Sequence, residues 1–381
     1  MKVICNKLTS LSRKQIALCT VLIICFLTTV IFVNYNYSFY KVPIAKVIET
    51  KLEGTTEKVD NFQNKDQVFT QRIKAEIKNG KEKGRLIDLT NEYSSSGAYD
   101  HELQAGDELF VSIDFDSDKE IHKELTGTIK EVKRDKYLLM MAWIFMFTLL
   151  LVGQKQGLFA IISLAVNAVL LSYALDVYIH TAGISLLVIC SVGAVLFTVI
   201  SLFLVNGFNE KTYAAIVATL LGTFLSLLIT YLVMEVTSEK GLKYEEIQFI
   251  TRPYQMVFMA GLFIGSLGAV MDVAITMSSS IFGVYEEHPG ISVKALKKSG
   301  LDIGKDIMGT MTNILFFAYI SGSIPMLVLY LKNGNPLGFT LSMSLSLELA
   351  RALAGGIGIV LTIPIGLYTT IFFVKRKRAR G

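Results

Sequence analysis

Asp272 is the residue whose position most demands a chemical explanation. About ten or more uncharged residues flank it on each side, within an apolar run long enough to cross a bilayer. An ionisable group at that depth costs at least a few kcal/mol on insertion scales, and such groups usually face a bundle interior or a cavity. Uptake and release of a proton is the chemistry such a carboxylate could do there. Gly261, Gly265, Gly268, Asp272, Thr276 and Ser279 recur at spacings of three or four, so one helix carries them as a single small, polar stripe. That stripe is expected to be buried against protein. In the plainer alternative, the glycines let helices approach closely while Asp272 bonds to a neighbour or stays protonated.

The following span repeats the pattern, with Asp306, Thr310, Asn313 and Ser321 on one face. Thr310 and Asn313 would lie within reach of the depth of Asp272, which makes them its expected hydrogen-bond partners. Asp306 is expected at the start of a helix, where the dipole and capping favour a carboxylate. Between the two spans, Pro289 and Gly290 suit a turn, while Lys297, Lys298 and Gly300 suit the end of a short cytoplasmic helix. Gly300 to Lys305 is one residue short of a phosphate loop, and Asp306 replaces the hydroxyl that would meet magnesium, so a nucleotide site is rejected. Further on, Glu348 and Arg351 are spaced to pair, and Gly355, Gly356 and Gly358 are spaced for close helix packing.

Other chemistries find little support. His101, His122, His180 and His288 have no metal-ligand neighbours at helical or loop spacing, so no metal site is expected. Cys5, Cys19, Cys25 and Cys190 fall in the N-terminal tail or in apolar segments, leaving no disulfide framework in the soluble part. A lipoprotein reading of Cys25 needs a small residue before it, and Ile24 is bulky. An intramembrane aspartyl hydrolase needs a Gly-x-Gly-Asp arrangement that is missing. Neither catalytic residues nor a cofactor are therefore expected, and a net charge of +5 gives no case for nucleic acid.

The elements that must hold these residues follow from composition. Hydrophobic residues make up 52% of the chain and charged ones 18%, well to the apolar side of a soluble domain. Apolar runs predict spans at 16–33, 138–152, 157–175, 184–205, 212–234, 255–281, 307–331 and 348–374. Residues 337–347 are apolar but serine-rich and are left open between a re-entrant and an interfacial piece. The first span, preceded by Lys2, Lys7, Arg13 and Lys14 and followed by no cleavage site, reads as an uncleaved signal anchor. Residues 41–136 are densely charged, with β-branched stretches at 42–50, 68–77, 85–90, 108–115 and 125–132 and turns at Asn79-Gly80, Ser94 to Gly97 and Ala105-Gly106-Asp107.

The expected fold is thus a membrane all-α bundle of about eight transmembrane helices, with a small extracytoplasmic β-rich domain, barrel- or sandwich-like, inserted after the first helix. The divisions are 1–40 for the tail and anchor, 41–136 for the β-rich domain, 137–374 for seven helices and 375–381 for a basic tail. Lys294, Lys297, Lys298, Lys305 and the tail's basic residues gather on one side, against Lys240, Lys243, Arg252 and Lys332 on the other. This bias puts both termini in the cytoplasm.

The stretches Gly265-Ser-Leu-Gly-Ala-Val-Met-Asp272, Ser299 to Asn313 and Gly358-Ile-Val-Leu-Thr-Ile-Pro364 resemble the signature blocks of the YibE/F family of multi-pass membrane proteins. That resemblance implies a bacterial cell-membrane protein with no established catalytic residues. Lys305 stands where the family usually has arginine, and Gly356 where it usually has serine; a lysine cannot reproduce an arginine fork. The order of anchor helix, outer domain and mid-membrane aspartate is also similar to halves of RND-type exporters and of SecD/SecF, a likeness of architecture alone.

Two functions are expected from these readings. One is a proton-coupled transporter or export-assisting protein acting on a small molecule or peptide, with Asp272 as coupling group and Thr276, Ser279, Asp306, Thr310 and Asn313 around it. The other is a receptor or assembly scaffold whose outer domain binds a protein or cell-wall ligand. The bilayer and a membrane-protein partner are the surroundings both require.

Overall fold

The computed structural model describes residues 13–97, 100–114, 125–181, 183–242, 244 and 253–379. Lys2, Cys5, Lys7, His122, Lys243, Arg252 and Arg380 lie outside the described residues, and the side chains of Arg13, Lys14 and Cys19 are likewise not described. The chain divides into two compact units, Met1–Thr148 and Leu149–Gly381.

The first unit begins with α1, Arg13–Tyr35, whose 23 apolar-rich residues at 1.5 Å each span the hydrocarbon core. A short 3-10 turn, Asn36–Phe39, leads into five strands: β1 Ile44–Val59, β2 Lys65–Ile77, β3 Leu86–Ser94, β4 Glu108–Asp114 and β5 Leu125–Val132. They close into a barrel in the order β1-β2-β3-β5-β4, antiparallel except for the β3–β5 pair. That is the strand order of an OB barrel. Alternation builds its core, because successive side chains point to opposite faces. Ala45 and Val47, then Ile73, Ala75 and Ile77, Ile87 and Leu89, and Leu109 and Val111 all point inward and are buried. The expected turns hold, with positive φ at Gly80, Gly97 and Gly106, where glycine carries no Cβ penalty. The first strand is longer than expected: β1 and β2 continue past the buried core as an exposed ribbon, with β3 beside β2 as far as the Val68–Ser94 pair.

After the barrel comes α2, Asp135–His180, 46 residues that would measure about 69 Å if straight, twice the thickness of a membrane core. It is not one helix. Gln154 has φ 47° and ψ −118°, which breaks it into 135–153 and 155–180. Gly157 lies against the carbonyl of Leu149, so the chain folds back at this point.

The second unit continues with α3 Leu186–Asn206, α4 Glu210–Thr237, α5 Tyr254–Glu287, α6 Val293–Ser321, α7 Ile324–Lys332, α8 Leu337–Ser344 and α9 Ser346–Arg378. Its largest apolar cluster joins Val273, Met277 and Ile281 of α5 to Leu296 and Leu315 of α6 and to Ile359, Ile363, Leu367 and Ile371 of α9. Glycines set the spacing of that core. A Cβ at Gly300 or Gly304 on α6 would strike Leu367 or Ile363 of α9, one at Gly355 would strike Leu315, and one at Gly358 would strike Val270. A Cβ at Gly356, by contrast, would make only ordinary van der Waals contact with Thr312.

Among the described residues six helices are long and apolar enough to cross a membrane, and α6 with α7, bent by 56°, makes a seventh span if the pair is counted as one. The chain is a multi-pass membrane protein. Three local expectations are corrected. The segment after Gly290 is not a separate short helix ending near Gly300: α6 is continuous from Val293, capped by Ser292, whose hydroxyl accepts from the Ala295 N–H at 3.2 Å. Gly300 serves packing there, not termination. Asp306 therefore lies in the middle of a helix and does not cap one. The span expected at 307–331 breaks instead at Gly322 and Ser323, and residues 337–347 divide between α8, which ends at Ser344, and the start of α9 at Ser346.

Candidate functional site

Asp272 sits near the middle of α5, whose described residues from Pro253 to Tyr285 carry no other charge. The opposite face of α5 is fully packed: Phe263, Val270, Val273, Ala274 and Met277 are buried. The stripe itself is not. Within the second unit Gly261, Gly265, Gly268 and Asp272 are exposed, and Thr276 and Ser279 are half-buried. The expectation of a stripe buried against protein is corrected in this respect. Among the described residues nothing meets a Cβ at Gly261 or Gly268, so they serve no helix packing there; Gly265 does, against the hydroxyl of Tyr319.

The physical reason is a division of faces. Large apolar side chains of α5 take the contacts with α4 and α9, and a stripe with almost no side-chain bulk gains little dispersion energy from the same neighbours. Where α5 packs on α4 and α9, the described interior takes its polarity from hydroxyls. Thr219, Thr223 and Thr362 donate to carbonyls one turn back in their own helices, and Ser226 donates across to the Ala354 carbonyl at 2.7 Å. Ser278, not Ser279, faces inward, donating to the Lys211 carbonyl at 2.7 Å.

Contacts of Gly304 with Met277 and of Gly300 with Ile281 fix an antiparallel register between α5 and α6. Continued along both helices, it puts Asp272 level with Gly309. Thr310 and Asn313 thus share its depth, as expected, but not its hydrogen bonds. Both are exposed on the outer face of α6, and Thr310 donates to the Asp306 and Ile307 carbonyls of its own helix. Asp306 lies on that same outer face. Among the described residues Asp272 has no hydrogen-bond or ion-pair partner.

Glu348 and Arg351 pair as expected, and the guanidinium also lies over the Phe258 ring at 5.3 Å. Tyr319 escaped sequence reasoning: its hydroxyl is buried and unpartnered beside Gly265, two helical turns along the stripe from Asp272. Its one visible signal is that it breaks a phenylalanine-rich run.

A second constellation, also missed, lies within the first unit, where α1, the barrel and the start of α2 meet. Glu108, at the start of β4, is buried and takes three donors: Lys133 at 2.9 Å, Lys136 at 2.7 Å and the Tyr37 hydroxyl at 2.7 Å. The Lys133 ammonium also reaches Asp135 at 3.1 Å and the Val33 carbonyl at the end of α1 at 3.2 Å. Asn36 and Tyr40 each donate to Asp135 at 3.1 Å. Asn79 completes the joint, accepting from the Ile44 N–H at 2.6 Å while its amide donates to the Tyr37, Tyr40 and Val42 carbonyls. Burial raises the Glu108 carboxyl, but the bonds from Lys136, Lys133 and Tyr37 outweigh it and hold the group below its ordinary range. Burial lowers the Lys133 ammonium, and its bonds to Glu108 and Asp135 outweigh that, holding it above the ordinary range. Burial first and Glu108 second push the Tyr37 phenol up, so it remains a donor.

A family model described as YibE/F-like protein matches residues 141–376, and one described as YibE/F family N-terminal domain matches residues 38–132. The chain belongs to the YibE/F family. The N-terminal YibE/F segment coincides with the barrel, and the larger one takes in the helices that carry Asp272 and Tyr319. Lys133, Asp135 and Lys136 fall in the short stretch between the two YibE/F segments. No curated protein and no solved structure matches the chain. Among the described residues no group of three or more His, Cys, Asp or Glu side chains could hold a metal ion.

Proposed function

We propose that this YibE/F protein is a transport or export-assisting protein of the bacterial cell membrane, driven by protons taken up and released at Asp272. The observation that carries the reading is a mid-span carboxylate with no partner among the described residues, on a helix face that the packed helices of the second unit leave open. Hydrocarbon is a poor neighbour for that group, so the working unit includes a further membrane-embedded element over the stripe. Thr310, Asn313 and Asp306 at comparable depth give that element a second polar edge to meet. The topology that goes with this reading has eight spans, counting α2 as two segments divided at Gln154. Both termini are cytoplasmic and the barrel is extracytoplasmic, in keeping with Lys294, Lys297, Lys298 and Lys305 in the first turns of α6 and with the basic C-terminal tail.

The deciding experiment replaces Asp272 with Asn in a deletion background and compares secreted and retained small molecules and peptides across a pH series. Asp272→Asn is expected to abolish the wild-type difference while membrane abundance stays normal. Full activity of Asp272→Asn at every pH would remove the coupling role. The second reading, a scaffold whose barrel binds a ligand, is favoured by the buried ionic joint that fixes the barrel to α1 and α2. On that reading, barrel substitutions abolish function and Asp272→Asn changes only abundance.

A further inference from the structure

The barrel carries a concave site that neither reading of Asp272 uses. A cleft of about 480 Å³ opens between residues 41–43, the β2–β3 turn at 79–82, β4 at 111–113 and Lys130 of β5. Three lysines line it: Lys41, Lys81 and Lys130. None has an ion-pair partner among the described residues, whereas Lys65, Lys78, Lys133 and Lys136 of the same unit each pair with a carboxylate. Glu82, the sole carboxylate on the cleft wall, is engaged by Arg85 at 2.6 Å.

The backbone shapes this convergence. Pairing between β4 and β5 shifts register between Phe110 and Val111, leaving Lys130 as the extra residue of a bulge. Bulges re-aim a side chain, and this one accompanies the cleft. The Val111 N–H donates to the Pro43 carbonyl at 3.0 Å, and Asn79 holds the 40–44 segment to the β2–β3 turn, so the walls are fixed without a ligand. Three unpaired like charges held on rigid walls repel one another and gain from an anion placed among them. Lysine ammoniums are point-charge donors suited to phosphate oxygens, and the Ser112 hydroxyl on the same wall adds another donor.

Location narrows the source of that anion. The cleft starts at Lys41, shortly after the membrane-spanning α1 ends at Tyr35, and the intervening chain exposes Tyr35 and Phe39 in the manner of an interfacial aromatic belt. Its other walls are apolar, from Val42, Pro43 and Ile113. We infer that the cleft formed by Lys41, Lys81, Lys130 and Ser112 binds a phosphate group, supplied by the headgroup of an anionic phospholipid at the membrane surface.

The test uses the full chain in an uncharged detergent, titrated with dihexanoyl phosphatidylglycerol, dihexanoyl phosphatidylcholine and glycerol phosphate. The anionic lipid is expected to bind at least about tenfold tighter than the zwitterionic one, and the combined variant Lys41→Gln, Lys81→Gln, Lys130→Gln to lose that margin. A control removing the same charge from the distant ribbon, Lys51→Gln, Lys58→Gln, Lys65→Gln, keeps the wild-type affinity. All six positions are on the surface, so both variants retain the barrel's buried core. Unchanged lipid affinity in the cleft variant overturns the site, and so does an equal loss in the control, which would mark a nonspecific charge effect. Equal affinity for the two lipids also overturns it. Glycerol phosphate binding as tightly as the anionic lipid overturns the lipid source and assigns the cleft to a soluble phosphate.

Discussion

Lys133 and Glu108 form a buried ion pair whose worth depends on both members staying in place. Desolvation makes such a pair a weak source of net stability, but deleting one partner strands a charge in the interior. Glu108→Gln is therefore expected to destabilise the first unit by about 3–5 kcal/mol. Lys65→Gln, which opens an exposed pair with Glu57, costs no more than about 1 kcal/mol. Trp143, the chain's only tryptophan, packs edge-on against Phe26 of α1 at 5.4 Å and donates to Thr29 at 2.9 Å, so its fluorescence in a denaturant titration reads the loss directly.

The same joint makes a pH prediction. Glu108 and Asp135 are held below their ordinary ranges, so their contribution is present above the usual carboxylate pKa and is lost as pH falls through the lowered folded value. Lys133 is held above its ordinary range, so its contribution is present below the usual lysine pKa and is lost as pH rises through the raised one. Stability of the first unit is expected to be flat between about pH 5.5 and 9.5 and to fall in acid below about pH 4, followed again through Trp143. A midpoint that declines steadily across the neutral range would show that the joint is not the acid-sensitive element.

Glycines of the helical unit sort into two groups at the scale of the element. Gly304, Gly355 and Gly358 sit where α5, α6 and α9 converge, and a Cβ at each would strike a neighbouring side chain. Gly355→Val is expected to lower stability by about 1–3 kcal/mol through overpacking, measured as a fall in the thermal midpoint in detergent. Gly261→Ala and Gly268→Ala meet nothing among the described residues and are expected to leave that midpoint unchanged. Loss of function in those two variants would then report on whatever covers the stripe. Spacing in the sequence is the same in both groups, which is why it could not separate them: periodicity tells which residues share a helix face, not what that face meets.

Two polar edges remain open within the described helices of the second unit, the stripe of α5 and the Asp306, Thr310, Asn313 face of α6. If a second copy closes them, the 42.2 kDa chain in mild detergent will have a mass above that of a monomer by light scattering, and Gly268→Leu will shift it toward one. A monomeric wild type would point to a different cover, either the membrane helices of the first unit or another membrane protein.

Composition and local pattern determined a good deal. Long apolar runs located the helices, because a bilayer core imposes length and hydrophobicity whatever the neighbours are. Period-two alternation with Gly80, Gly97 and Gly106 at turns located the strands of a small barrel, because pleating and positive φ are local constraints. The pairing of Glu348 with Arg351 was legible because both lie on one helix, three residues apart. Tertiary structure alone decided the rest. Glu108, Lys133, Tyr37 and Asn79 are far apart in sequence and meet only when the barrel closes on the end of α1. Lys41, Lys81 and Lys130 converge only because three separate segments form one wall. The continuity of α6 through Gly300 depends on Leu367 and Ile281 filling the space a side chain would need. The outward aim of Asp272 follows from which faces of α5 its neighbours occupy, a many-body packing outcome that no single stretch of residues encodes.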